Sequence, residues 1–176
     1  MKIVFFGVGA VCSVMATLLD ELSNKSKQKD INFVYVVRNI KKAQNHFFKN
    51  SNILNKSDFL EIKHFEEIFE DSKKYENYLR NSDIFINSST PSFNLPIMNL
   101  ALKYNTNYAD LASDIYKDEI ISTLKFDQQN LENEFKYKNL FALINLGISP
   151  GITNFLIGEK IHSLKNLPYE VKIKKL

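Results

Sequence analysis

The chain has 176 residues, 44% of them hydrophobic and 24% charged, which allows one domain, or one domain and part of a second, and excludes a disordered chain. Its 23 basic and 20 acidic residues leave a net charge of +3 spread along the sequence, too weak for a nucleic-acid or membrane surface. The single cysteine, Cys12, excludes a disulfide framework and any zinc site built on two or more cysteines, and it fits a reducing, cytoplasmic setting.

Ile3-Val4-Phe5-Phe6 is a short continuous apolar run, the pattern of a strand buried on both faces. The uncharged residues 3–19 after Lys2 superficially resemble a signal peptide. Gly7 and Gly9 interrupt that run, however, and Val11, Val14, Met15, Leu18, Leu19 and Leu22 then recur at helical spacing. A packed helix face over residues 13–22 accounts for that spacing, and membrane insertion does not require it. A second strand is expected over residues 31–37 and a helix over 41–48. A polar stretch, 49–58, separates them from a short third strand at 59–62. Phe65, Ile68, Phe69 and Leu79 mark one face of a helix ending near Ser82.

Residues 83–87 read as a fourth strand, and 95–103 as a helix whose first turn tolerates Pro96. A fifth strand is expected at 106–108, a long polar-rich helix over 117–135 and a sixth strand at 140–144. Pro150 and Gly151 open a further helix to residue 161, and 169–173 suits a seventh strand. Short strands alternating with helices predict an α/β chain. Its core is a doubly wound parallel sheet of about six strands with helices on both faces.

The candidate site begins at Gly7-Val8-Gly9-Ala10-Val11-Cys12, between the first strand and first helix, where a G-x-G-x-x-G pattern has meaning. The first glycine permits the tight turn. The second lets the backbone approach a pyrophosphate, whose charge meets the helix N-terminus. Cys12 fills the third, normally smaller position as a packing residue. At the end of the second strand, a site for NAD or FAD expects an acidic residue to hold ribose hydroxyls. Here Arg38 and Asn39 stand there, with Lys41 and Lys42 following, and the chain contains only two arginines, Arg38 and Arg80. A guanidinium suits a 2′-phosphate, so NADP(H) is preferred, with NAD(H) possible.

Three later segments lie at strand ends, where open α/β sheets bind ligands. They are Asn87-Ser88-Ser89-Thr90-Pro91, Tyr108-Ala109-Asp110, and Gly147-Ile148-Ser149-Pro150-Gly151-Ile152-Thr153-Asn154. Ser88, Ser89 and Thr90 can donate to a nicotinamide ribose or phosphate, and Asp110 either bonds a loop or faces the cleft. Ser149 suits an N-cap with Pro150 at the first helical position. His46, His64 and His162 show no partner pattern, and no P-loop lysine, H-E-x-x-H, Ser-His-Asp order or Tyr-x-x-x-Lys pair is present.

The glycine turn, the N-x-x-x-P loop, the Tyr-x-Asp strand and above all the G-x-x-P-G-x-x-N loop resemble the N-terminal Rossmann domain of the saccharopine dehydrogenase family. The resemblance covers about residues 2–164, with Cys12 in place of the third glycine and Ser149 where the best-known members carry Asp. It implies a dinucleotide cofactor and hydride transfer at the C–N bond of an amino-acid-derived imine or secondary amine. Gly7, Gly9, Ala10 and Val11 would seat the pyrophosphate and Arg38 and Asn39 the ribose phosphate. Ser88, Ser89, Thr90, Pro91, Asp110, Gly147, Pro150 and Gly151 would line the nicotinamide side.

It further implies a second domain that supplies substrate contacts and often a homodimer interface. On that expectation residues 1–164 form the dinucleotide-binding domain, and 165–176 begin the crossover into a truncated substrate domain. A non-catalytic or degenerate nucleotide-binding module, and a Rossmann-like scaffold that binds no nucleotide, are the alternative readings.

Overall fold

The computed structural model describes residues 1–26, 30–47, 51–112, 127–147 and 151–165. Six parallel strands form one open sheet: β1 (Lys2–Phe6), β2 (Asn32–Val37), β3 (Ser57–Glu61), β4 (Ile84–Asn87), β5 (Asn107–Asp110) and β6 (Ala142–Leu143). Their spatial order is β3-β2-β1-β4-β5-β6, which is the order of the Rossmann fold. The chain winds outward from β1 in one direction, returns, and winds outward from β4 in the other. The crevice at the strand ends therefore opens between β1 and β4, which pair in register from Ile3 with Ile84 to Phe6 with Asn87.

Side-chain alternation assigns the two faces. Val4, Phe6, Val34, Val36, Leu60, Phe85 and Tyr108 pack on one side, and Ile3, Phe5, Phe33, Tyr35, Val37, Ile86 and Ala109 on the other. The first side is covered by α4 (Glu66–Glu70), α5 (Glu76–Leu79), α6 (Asn94–Lys103) and α7 (Glu132–Tyr137). The second is covered by α1 (Ala10–Ser26), α2 (Ile40–Asn45) and α3 (Ser51–Asn55). A final helix, α8, spans Thr153–Lys165. None of the helices among the described residues is long and apolar enough to cross a membrane.

Four features differ from the sequence expectation. The face of α1 turned to the sheet is not the apolar stripe: Cys12, Ala16, Asp20 and Ser23 are buried, with Met15 and Leu19 packed beside them. Val11, Val14, Leu18 and Leu22 are 56%, 57%, 52% and 61% exposed. Close approach of a helix to a sheet demands small side chains at positions 12 and 16, and Asp20 tolerates burial because Lys56 meets it at 3.1 Å.

The stretch 49–58 contains α3, whose Ile53 is fully buried. The helix expected from 65 to 82 breaks at Asp71, which leaves the helical region (φ −131°, ψ 68°). Ser72–Tyr75 then form a 3-10 turn pinned by the Tyr104 hydroxyl on the Ser72 carbonyl. Phe65, Ile68, Phe69 and Leu79 nevertheless share one core. The expected helix 117–135 is represented by a 3-10 turn, Asp127–Leu131, and α7. Its part at 117–126, and the expected strand 169–173, lie outside the described residues.

Asparagine takes positions that glycine usually fills. Asn81, Asn105 and Asn139, each just past a helix, have φ of 56°, 51° and 55°, and short polar side chains accept this conformation best after glycine.

Candidate nucleotide-binding cleft

The turn after β1 is held from both sides. The Gly7 N–H donates to the Val36 carbonyl at 2.9 Å, and the Ser88 N–H, from the neighbouring strand end, donates to the Phe6 carbonyl at 3.1 Å. The Ser88 hydroxyl donates to the Gly7 carbonyl at 2.7 Å. Gly7 has φ +92°, and a β-carbon there would stand 2.8 Å from that of Ser89, so both backbone conformation and space require glycine. At Gly9 an added β-carbon would meet nothing within 4 Å.

The first helical bond of α1 runs from Ser13 N–H to the Gly9 carbonyl at 3.0 Å. The N–H groups of Ala10, Val11 and Cys12 thus lie ahead of the intrahelical ladder, at the positive end of a 17-residue helix without an acidic residue in its first turn. An open backbone approach at Gly9 and free N–H groups at a helix start fit a pyrophosphate.

A cavity of about 510 Å³ runs along this edge, lined by Gly7, Val8, Gly9, Val37, Arg38, Asn39, Lys42, Ala43, Phe65, Ser88, Ser89 and Thr90. Among the described residues its lining carries two cations and no carboxylate. Glu61, paired with Val37 at the β2 end of the sheet, accepts the Ile40 N–H on its Oε1 at 3.0 Å. Asn39 caps α2 by accepting the Lys42 N–H at 2.8 Å, which fixes the turn that carries Arg38. Among the described residues neither the Arg38 guanidinium nor the Lys42 ammonium is engaged in an ion pair.

Of the residues proposed from sequence, Gly7, Gly9, Arg38, Asn39, Ser88, Ser89 and Thr90 are brought together in this cavity. Ala10 and Val11 adjoin it at the start of α1, and Pro91 begins the 3-10 turn Pro91–Phe93 that leads away from it. Pro150 lies outside the described residues.

Asp110 is fully buried and turned into the protein. Its carboxylate accepts the Asn145 N–H at 2.8 Å and a bond from the Gln128 amide, and its carbonyl accepts the Leu146 N–H at 2.9 Å. Burial pushes the carboxyl above its ordinary range, against the bonds from Asn145 and Gln128. Asp110 therefore anchors the loop that ends at Gly147. Gly151 closes the same loop: it has φ +129°, and an added β-carbon would stand 2.8 Å from the Asn145 carbonyl oxygen. The Ile152 N–H returns to the Gly147 carbonyl at 2.9 Å.

Cys12 is buried beneath the turn. Burial pushes its thiol up to about 12, opposed by a hydrogen bond with Ser88, which leaves it as packing and not as a nucleophile.

Val8, Ala43 and Phe65 line the cavity without having been singled out for it. Val8 could have been found as the residue between the two glycines. Phe65 reads from sequence as core, and it is: its ring packs 5.0 Å from that of Phe93. It reaches the cleft because β3 ends beside β2.

The family model described as "Saccharopine dehydrogenase NADP binding domain" matches residues 3–143 of the chain. Among solved structures, the chain is similar to an apo saccharopine dehydrogenase (L-Glu forming) from Saccharomyces cerevisiae. There the identity is 18% and the TM-score 0.64, over 93% of this chain and 31% of that one. It is also similar to an NAD binding oxidoreductase from Klebsiella pneumoniae, at 10% identity and a TM-score of 0.52, over 91% of this chain and 38% of that one. At these identities the likeness is one of fold. The chain thus spans about a third of the length of the yeast protein. No curated protein matches the chain.

Proposed function

We propose, for a chain that belongs to the family of saccharopine dehydrogenase NADP-binding domains, that the β1–β4 crevice binds NADP(H) through the residues that line it. The pyrophosphate lies over Gly9 against the N–H groups of Ala10 and Val11, and Arg38, with Lys42 beside it, takes the 2′-phosphate. The observation that carries this reading is the lining itself: among the described residues it holds two unpaired cations and no carboxylate, whereas a free 2′-hydroxyl would call for an acid there. Ser88, Ser89 and Thr90 stand on the nicotinamide side and orient the ring, with Pro91, Asp110, Gly147 and Gly151 shaping the loops behind it.

When bound, the cofactor supplies the hydride chemistry. The chain's own residues bind and orient it, and they exclude water from the turn through the Gly7, Ser88 and Ser89 contacts. In the whole protein the reaction is oxidoreduction at the C–N bond of an amino-acid-derived imine or secondary amine, in cytoplasmic amino-acid metabolism. Residues 1–164 are the dinucleotide-binding domain, and 165–176 lead toward a further domain that completes the substrate site and a homodimer.

Among the described residues the lining of the cavity contains no imidazole and no carboxyl group, which favours a second reading in which this domain binds nucleotide without performing chemistry alone. A thermal-shift titration with NADPH, NADP, NADH and NAD tests the proposal. Stabilisation by the phosphorylated pair, lost in Arg38→Asp, supports it, and no shift with any of the four refutes it.

A further inference from the structure

The wall of the cleft after β4 is shaped by a buried side chain that never reaches the cavity. Asn87, at the end of β4, uses every polar position it has. Its Oδ1 accepts the Ser89 N–H at 3.0 Å and the Ser89 hydroxyl at 2.6 Å. Its Nδ2 donates to the Thr90 carbonyl at 3.0 Å and to Asn94 Oδ1 at 2.6 Å. Turning that amide over would set an NH2 group against the Ser89 N–H and an oxygen against two acceptors, so its orientation decides the shape of the 88–90 loop.

What fixes the orientation is Asn94, the first residue of α6 and 3% exposed. Its Oδ1 also accepts the Tyr108 hydroxyl at 3.0 Å, and its Nδ2 donates to the Ala112 carbonyl at 2.8 Å. Asn94 is thereby oriented from β5, on the far side of β4 from the glycine turn. It presents an acceptor, and only an acceptor, to Asn87.

We infer that Asn94 is a positioning residue for the cofactor: acting through Asn87, it sets the 88–90 loop in its cofactor-ready shape before any nucleotide arrives. This rests on the reading of the crevice as the NADP(H) site. Neither Asn94 nor Tyr108 lines the cavity, so their effect on affinity is indirect, and of the groups Asn94 touches, Asn87 is the one bonded to Ser89 and Thr90 in the lining. A preformed loop spares the ligand the cost of ordering it.

The test is a double-mutant cycle read by NADPH fluorescence titration of the 176-residue chain. Asn94→Leu, close in volume and without a polar atom, is expected to raise the Kd for NADPH about tenfold in the wild-type background. In an Asn87→Leu background the same change should move Kd less than about twofold, because the group it acts through is gone. Amide hydrogen exchange of Ser89 in the apo chain should quicken in Asn94→Leu while the amides of Val34 to Val36 keep their protection.

A tenfold cost in both backgrounds, or no cost in either, overturns the inference. If Asn94→Leu does not fold, Tyr108→Phe, which removes the hydroxyl that donates to the same oxygen, runs in the same cycle. An additive result there overturns the inference equally, and a non-additive loss supports it. A wild-type chain that does not bind NADPH refutes the functional reading itself, whereas a wild-type chain that binds beside indifferent variants refutes the positioning role alone.

Discussion

A β-carbon on Gly7 would stand 2.8 Å from that of Ser89, although the two residues belong to turns 82 positions apart in the chain. The β4 loop is seated directly on the first glycine, while the second glycine, two residues later, faces open space. The two glycines therefore serve different purposes, and alanine separates them. Gly7→Ala should lower stability by about 1–3 kcal/mol, through the positive φ and the clash with Ser89, as measured by urea unfolding. Gly9→Ala should change stability by less than about 0.5 kcal/mol yet raise the Kd for NADPH at least about tenfold, because its methyl occupies the pyrophosphate approach. Equal effects of the two changes on folding would contradict this division.

Arg38 and Lys42 share the cavity lining without an ion-pair partner among the described residues. Arg38→Asp should reverse the preference between NADPH and NADH, because a carboxylate repels the 2′-phosphate and accepts from a free 2′-hydroxyl. Lys42→Ala should weaken NADPH by about 3- to 10-fold and leave NADH within about twofold. Isothermal titration of both variants with both nucleotides measures this. Weakening of both nucleotides alike would place the cations elsewhere than at the 2′-phosphate.

The buried Cys12 thiol, pushed up to about 12, should resist a disulfide reagent at about pH 8 in the folded chain and react at once in urea. Cys12→Ala should cost about 1 kcal/mol of stability and leave nucleotide affinity within about twofold, since the thiol lies beneath the turn. Rapid native-state labelling would contradict its burial.

Two buried tyrosines give opposite expectations for the same substitution. Tyr35 is fully buried among Phe5, Phe33, Phe47 and Phe59, and its hydroxyl makes no hydrogen bond of ordinary geometry among the described residues. Tyr108, equally buried, donates to Asn94. Tyr35→Phe should therefore leave stability unchanged or raise it by about 1 kcal/mol, while Tyr108→Phe should lower it by about 1–2 kcal/mol. Chemical unfolding of the two variants side by side decides the matter.

Burial raises the Asp110 carboxyl above its ordinary range, so between the unfolded and folded values the folded chain holds a proton that the unfolded chain has released. Its contribution to stability is present at acid pH and is lost as pH rises through that window, which begins near about pH 4. Asp110→Asn removes the titration and can still accept the Asn145 N–H. The stability of this variant relative to wild type should accordingly rise as pH increases above about 4. A difference that falls with pH would reverse the assigned direction.

The strands were legible in the sequence because a strand buried on both faces is a short continuous apolar run, as Ile3 to Phe6 is. The sheet shows both faces covered, with Val4 and Phe6 on one side and Ile3 and Phe5 on the other. The glycine turn was legible for a similar reason: strand, glycine and helix are contiguous, so local chemistry suffices. The matched family and the β3-β2-β1-β4-β5-β6 order confirm that reading of the fold.

The apolar stripe of α1 was not a guide to its buried face. Periodicity reports which residues are apolar, and only the approach of the sheet decides that Cys12 and Ala16 face inward while Val14 and Leu18 face out. The same limit applies to Asp110, Asn87 and Asn94. Asn87 and Asp110 read from sequence as strand ends and Asn94 was not singled out, yet each is buried and bonded to a side chain of another element. Composition and local pattern thus determined the strands, the turn and the cationic end of β2. Tertiary structure alone decided which polar groups lie inside and which loop each one holds, because a buried hydrogen bond is defined by a partner that the local sequence does not contain.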